Sequence, residues 1–161
     1  MRRRNRWRSE RGVRSSARQG GFAMPIPRDY VFATPDFERF LGDLEETSLL
    51  ASHSNAYAEA RAVFHVFRRH ATPAQALAFA AVLPPLLKAM FLEDWDIEAP
   101  IAAFPDDDAG LAAEFATEQV VRDAAAAIAD VAATLRRHVD RVALDRVLAA
   151  LPEGARAYWR A

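Results

Sequence analysis

From Phe37 to Leu151 apolar residues recur mainly at three- and four-residue steps, the spacing that lines one face of an α-helix. Phe37, Phe40, Leu41 and Leu44 make the first stripe, with Thr34 as N-cap and Pro35 at the first helical position, where its missing donor costs nothing. Ser48 to Ser54 reads as a loop, and Ser54 or Asn55 caps a second helix carrying Tyr57, Ala60, Val63, Phe64 and Phe67 to about His70. Thr72-Pro73-Ala74-Gln75 has the form of a capping box with proline at the first helical position. It opens a third helix with Ala76, Phe79, Ala80 and Leu83 inside. Pro84 ends that helix, because the residue before a proline is pushed out of the helical region, and Pro85 begins a fourth through Leu86, Leu87, Met90 and Phe91. A short remnant holds Leu111 and Phe115. An alanine-rich helix from Thr117 carries Val121, Ala124, Ile128, Val131 and Leu135, and a last one, capped by Asp140, carries Leu144, Val147, Leu148 and Leu151. The pattern predicts an all-α fold, a compact bundle of about six to seven short helices, with Tyr158 and Trp159 as closing apolar anchors.

The pattern also repeats. Phe67-Arg68-Arg69-His70 followed by Leu83-Pro84 returns 68 residues later as Leu135-Arg136-Arg137-His138 followed by Leu151-Pro152. At the same offset Ala56 meets Ala124, Val63 meets Val131, Phe79 meets Val147 and Phe91 meets Trp159. Scattered alanines match by chance in a chain so rich in them, but Arg-Arg-His and Leu-Pro in register do not. The chain therefore reads as two tandem pseudo-repeats in a single domain over 34–161, repeat one at 34–95 and repeat two at 111–161. An acidic linker at 93–116 joins them, holding no lysine or arginine and marked by Pro100, Pro105 and Gly110. If Phe115 answers Phe40, the second copy is shorter by a helical turn or two of connecting chain.

Charge changes the picture at the amino terminus. Residues 1–23 hold eight arginines against Glu10, which leaves 13 basic and 21 acidic residues, a formal minus eight, from Met24 onward. Trp7, Val13 and Phe22 are the only large apolar residues of this arm, too few to offset the entropy of ordering it, so it is expected to be disordered. Two readings stand side by side: an arm that contacts nucleic acid or another anionic surface, with Trp7 stacking on a base, or an extension upstream of a start at Met24. No apolar run follows the arginines as a secretory signal requires. The most apolar window, Ala76 to Leu92, is interrupted by Pro84, Pro85 and Lys88, so no membrane span is expected. The 161 residues include no cysteine, which removes disulfides, thiolate zinc sites and cysteine nucleophiles, and a cytoplasmic location is the expectation.

Few residues point to chemistry. Arg68, Arg69 and His70, and their counterparts Arg136, Arg137 and His138, fall in the last turns of helices, where basic side chains complement the dipole and the open carbonyls. The sharper reading makes them a pair of corners that bind an anion or an acidic segment of a partner. His65 and His70, five apart, point about 140° from one another on a helix, so no metal site is expected. Asp94-Trp95-Asp96-Ile97-Glu98 alternates like a calcium loop but has Ala99 and Pro105 where glycine and glutamate belong. Asp106-Asp107-Asp108 reads as a solvated turn, or as a weak partner for the arginine arm in the same or another molecule. Ser48, Ser52 and Ser54 near His53 lack a nucleophile elbow, and phosphate and dinucleotide loops are absent. Trp95 and Trp159 read as packing anchors.

With the repeat laid out, the chain resembles domain of unknown function 2267, a bacterial all-helical family of two related halves. The resemblance rests on Ala62-Val63-Phe64-His65-Val66-Phe67-Arg68 leading to Leu83-Pro84-Pro85-Leu86-Leu87-Lys88 and Trp95, and on Leu135-Arg136-Arg137-His138 leading to Leu151-Pro152 and Trp159. It covers roughly Phe37 to Trp159, and the shortened connection before Thr117 departs from the helix that usually opens the second half. No catalytic or ligand residue carries over from the resemblance, and no cofactor is expected. Taken together the expectation is a non-enzymatic helical module that binds a protein partner or self-associates through a groove between its halves. The alternatives are a binder or enzyme holding an anionic compound on Arg68, Arg69, Arg136 and Arg137, and nucleic-acid contact through the arm.

Overall fold

The computed structural model describes residues 25–105, 107–120 and 122–160; the basic arm, together with Asp106 and Val121, lies outside the described residues. Among those described there are nine helices and no strand: α1 (Arg28–Val31), α2 (Ala33–Ser48), α3 (His53–Arg69), α4 (Pro73–Ala81), α5 (Pro85–Leu92), α6 (Asp108–Thr117), α7 (Ala124–His138), α8 (Arg141–Ala149) and α9 (Glu153–Tyr158). The all-α expectation holds, and the two helices beyond the expected number are α1 and α9. Pro152, like Pro84, stands at the N-cap of the helix that follows it, so each Leu-Pro pair opens a helix as well as ending one.

Helix α3 is the axis. It buries ten of its 17 residues, including Glu59, His65 and Arg68 beside Val63, Phe64, Val66 and Phe67. A helix enclosed on nearly all sides buries part of its polar face too, and those polar groups must find partners. Helices α2 and α7 pack most extensively against each other, and α3 lies against both. At one end Phe64, Phe67 and Phe79 gather around Trp159, whose ring stacks on Phe79 at 5.0 Å between centroids, and Phe91 packs against all three phenylalanines. Aromatic groups of this kind dominate the burial of a small core. Leu83 and Leu151 both sit inside, at 4% and 5% exposure.

Local chemistry explains where the helices begin, and corrects several expectations. Thr72 and Gln75 form the full capping box of α4, as the spacing predicted. Asp140 caps α8 through the Ala143 amide. Helix α2, by contrast, starts at Ala33 directly after α1, with no side-chain cap, so Thr34 and Pro35 lie inside it. Proline is tolerated there because the first four amides of a helix have no internal acceptor anyway. The helix runs to Ser48 and stops at Leu49 in the left-handed region, φ 53°, which leaves a shorter loop than the polar run suggested. Ser52, rather than Ser54 or Asn55, caps α3 by accepting from the Asn55 amide. The alanine-rich helix begins at Ala124, not Thr117: Asp123 caps it by accepting from the Ala126 amide. Thr117 instead ends α6, which Asp107 starts by accepting from the Gly110 amide at 2.7 Å.

Candidate functional site

Four basic residues fall on one side of α3 because they stand at 61, 65, 68 and 69, that is i, i+4, i+7 and i+8. Arg61, His65, Arg68 and Arg69 form one wall of a cleft of about 310 Å³. The chain from Asp94 to Ile101 forms the facing lip, and Glu118, the residue after α6, closes the third side. The lip is fixed by its own bonds. The Ala102 amide donates to the Arg69 carbonyl at 3.1 Å, and Asp96 accepts from the Glu98 amide at 3.0 Å.

Glu118 is the electrostatic centre of the cleft. Its carboxylate, 8% exposed, accepts from Arg61 at 3.0 Å and from Arg69, while His65 Nδ1 stands 3.7 Å away. Arg61 also bonds Glu93 at 2.9 Å and reaches exposed Asp94 at 3.3 Å, which holds a left-handed backbone, φ 51°. Its hydrogen bond holds the Glu93 carboxyl below the usual range, and burial with the same carboxylate raises the Tyr57 phenol.

His65 is buried, and its Nε2 donates to the Met90 carbonyl at 3.0 Å. A carbonyl only accepts, so Nε2 carries the proton and the neutral ring turns a lone pair at Nδ1 toward Glu118. Burial lowers the His65 pKa, and Arg68 and Arg61 add to that, against the opposing Met90 carbonyl and Glu118. Arg68 is buried beside it. It donates to the carbonyls of Phe91 and Glu93, the open end of α5, and its guanidinium covers the Trp95 ring at 5.5 Å. Burial depresses its pKa, although a guanidinium stays charged at any ordinary pH.

The residues singled out from sequence are thus divided among four places. Arg68 and Arg69 line the cleft; His70 turns away, with Nε2 at 3.0 Å from Glu114 and Nδ1 at 3.2 Å from the Ala102 carbonyl. Arg136 donates to the Trp159 carbonyl at 2.8 Å, the residue 68 positions after Phe91, and so repeats at α9 what Arg68 does at α5. Arg137 donates to Thr47 Oγ1 at 3.0 Å, and His138 to Asp43 at 2.7 Å, both on α2. Arg68 and Arg136, expected to cap their own helices, therefore cap α5 and α9 instead. Sequence reasoning missed Arg61 and Glu118. Arg61 carried a signal, its four- and eight-residue spacing from His65 and Arg69, whereas Glu118 carried none because the sequence placed it inside a helix.

Other candidates resolve into structure. Ser48 bonds buried Glu59 at 2.9 Å, and Arg122 grips the same carboxylate at 2.9 and 3.0 Å, so the serine nearest the expected loop is a core group. His53 pairs with Glu45 at 2.5 Å. No group of three or more metal-ligating side chains converges among the described residues, and none of their helices is long and apolar enough to cross a membrane. Trp159 is a packing anchor, while Trp95 stays half-buried at the cleft. A second cavity of about 310 Å³, mostly apolar, lies between Phe104, Leu111, Ile128 and Tyr158.

Compared with known proteins, the chain matches over residues 37–158 the family model described as "Uncharacterized conserved protein (DUF2267)". No curated protein matches it.

Proposed function

The chain belongs to the DUF2267 family of uncharacterised conserved proteins, and we propose that it is a non-enzymatic binding module whose cleft receives an anchor side chain from a protein partner. The observation that carries the reading is the lip. Ile97 and Ile101 are each 51% exposed and line the same cavity as half-buried Trp95. Exposed apolar side chains beside a cavity, rimmed by polar groups, are the usual form of an anchor pocket. The inner charges support it from another side, since Arg61, Arg68 and Arg69 are each already engaged by carboxylates or carbonyls. The most exposed charge at the cleft is acidic, Asp94 at 79% side-chain exposure, with exposed Asp96 beside it. The partner this favours is an apolar or aromatic residue with basic neighbours. The reading takes the chain as two copies of one unit, supported by the matched Arg68 and Arg136 caps, with the cleft bounded by α3 of the first copy and the end of α6 of the second.

An anionic small molecule is the second reading, favoured by the 39% exposed side chain of Arg69 and by the long Arg61–Asp94 contact. A surface pair of that kind is worth only about 0–1 kcal/mol, so a ligand carboxylate displaces it cheaply.

Fluorescence-polarisation titration of the full chain separates the two. The peptides carry a tryptophan or leucine anchor flanked by arginines, or the same anchor flanked by glutamates. Binding of the basic set, weakened at least tenfold by Ile97→Asp or Ile101→Asp, is the expected result. Equal binding of both sets, no binding of either, or indifference to both substitutions overturns the reading; preference for the acidic set moves the case to the anionic ligand.

A further inference from the structure

We propose that the first occupant of the cleft is the chain's own amino-terminal segment, with Trp7 seated between Ile97 and Ile101 and with Arg6 and Arg8 facing Asp94 and Asp96. The proposal rests on the reading of the cleft as an anchor pocket and names what fills it when no partner is bound.

Complementarity is the first support. The lip runs Asp94-Trp95-Asp96-Ile97, carboxylates alternating with apolar surface, and the amino-terminal segment runs Arg6-Trp7-Arg8, a single indole with a guanidinium on either side. Eight arginines and one acid in residues 1–23 face a remainder of formal charge minus eight. Within that remainder the stretch from Glu93 to Glu98 is where exposed carboxylates and an exposed isoleucine meet a cavity. An arginine-flanked indole offers both stacking on Trp95 and pairing with carboxylates.

Reach is the second support. The described chain begins at Pro25, and Pro27 and Arg28 lie in a cavity with Ala81 and Val82 at the end of α4. The start of the same helix, Pro73, lines the cleft. A helix of nine residues spans about 13 Å, and coil statistics give a stretch of roughly 18 residues, the separation of Trp7 from Pro25, a reach on the order of 25 Å. A tether of this length holds the segment near the cleft at roughly millimolar effective concentration, enough to fill it by a contact too weak to be detected between separate molecules. A partner then binds against this internal competitor, and raised salt, which screens exposed charge pairs, releases the segment.

The absence of cysteine allows a single nitroxide label at Ser9→Cys in the otherwise intact chain. Amide signals of Asp94, Asp96, Ile97 and Ile101 are expected to lose more than half their intensity to the label at low salt. They should regain it at roughly 0.5 M salt, where screening is strong. The triple substitution Arg6→Ser, Trp7→Ala, Arg8→Ser should abolish the loss and tighten binding of the basic peptides. Undiminished signals at the lip, a loss spread evenly over the acidic surface, or a loss that the triple substitution leaves intact overturns the proposal. So does broadening in a mixture of labelled and isotope-enriched chains, which would make a second copy the donor. If the peptides bind and the label has no effect, the anchor pocket survives and this proposal alone fails.

Discussion

Arg68 illustrates how one buried cation is committed. With both the Phe91 and Glu93 carbonyls depending on it, Arg68→Ala leaves two acceptors at the end of α5 without a donor and uncovers Trp95. Hydrogen bonds from charged donors contribute about 1.5–3 kcal/mol each, and a loss of roughly 2–3 kcal/mol in urea unfolding is expected. Arg136→Ala, which frees the Trp159 carbonyl alone, should cost about half that. A lysine at 68 recovers only part, since its ammonium lacks the flat guanidinium that covers Trp95. His65 supplies a second prediction. Its folded pKa lies below the unfolded value of about 6.5, chiefly because burial disfavours the charged ring. Just below that value the unfolded chain takes up a proton that the folded chain refuses, so this contribution is complete above pH 6.5 and declines as the pH falls toward the folded pKa. Gln at the same place keeps a donor for Met90 and does not titrate. Stability measured at pH 7.5 and pH 5 should therefore fall less in His65→Gln than in the parent; an equal fall would show that His65 does not contribute.

At the scale of elements, what was legible depended on how local the cause was. The capping box at Thr72, the cap at Asp140 and the break at Pro84 are decided by residues within one turn, and each stands where the spacing put it. Asp107 and Asp123 act by the same rule, but runs of helix-favouring alanine on both sides hid the interruption between them. Glu118 became a site residue through that interruption. The chain leaves α6 at Thr117, passes through Gln119 at φ 62°, and so presents Glu118 to Arg61 and Arg69 rather than to its own helix. Nothing in a propensity argument points at a contact between residues 49 positions apart. The Asp107 cap is accordingly a control on the cleft. Asp107→Ala should cost about 1 kcal/mol and loosen the end of α6. The Glu118, Arg61 and His65 resonances should shift with it, although residue 107 does not line the cavity. Unchanged resonances there would separate the start of α6 from the position of Glu118.

Across the whole molecule the two halves hold each other's helix ends. The last turn of α3 is bound by α6, through Arg69 to Thr117 and Glu118 and through His70 to Glu114. The last turn of α7 is bound by α2, through Arg137 to Thr47 and His138 to Asp43. Tyr158, its phenol pushed well up by burial, donates to the Val63 carbonyl at 2.8 Å, and Trp159 fills the ring of phenylalanines supplied by the first half. If the chain arose by duplication, the first helix of each copy packs on the other copy as well as on its own, so the core is shared between them. Removing a buried tryptophan alone costs about 3–5 kcal/mol, a large share of the 5–15 kcal/mol by which a domain is stable. A fragment of residues 25–105 forfeits Trp159, Tyr158 and the whole of α7 together, so it should show little helical circular dichroism and no cooperative melt. Adding a fragment of residues 106–161 should restore both, because the missing surfaces are complementary and the break falls outside every helix. A cooperative melt of 25–105 by itself would mean that the first half carries its own core, and that the cleft beside Glu118 lies between two independent units.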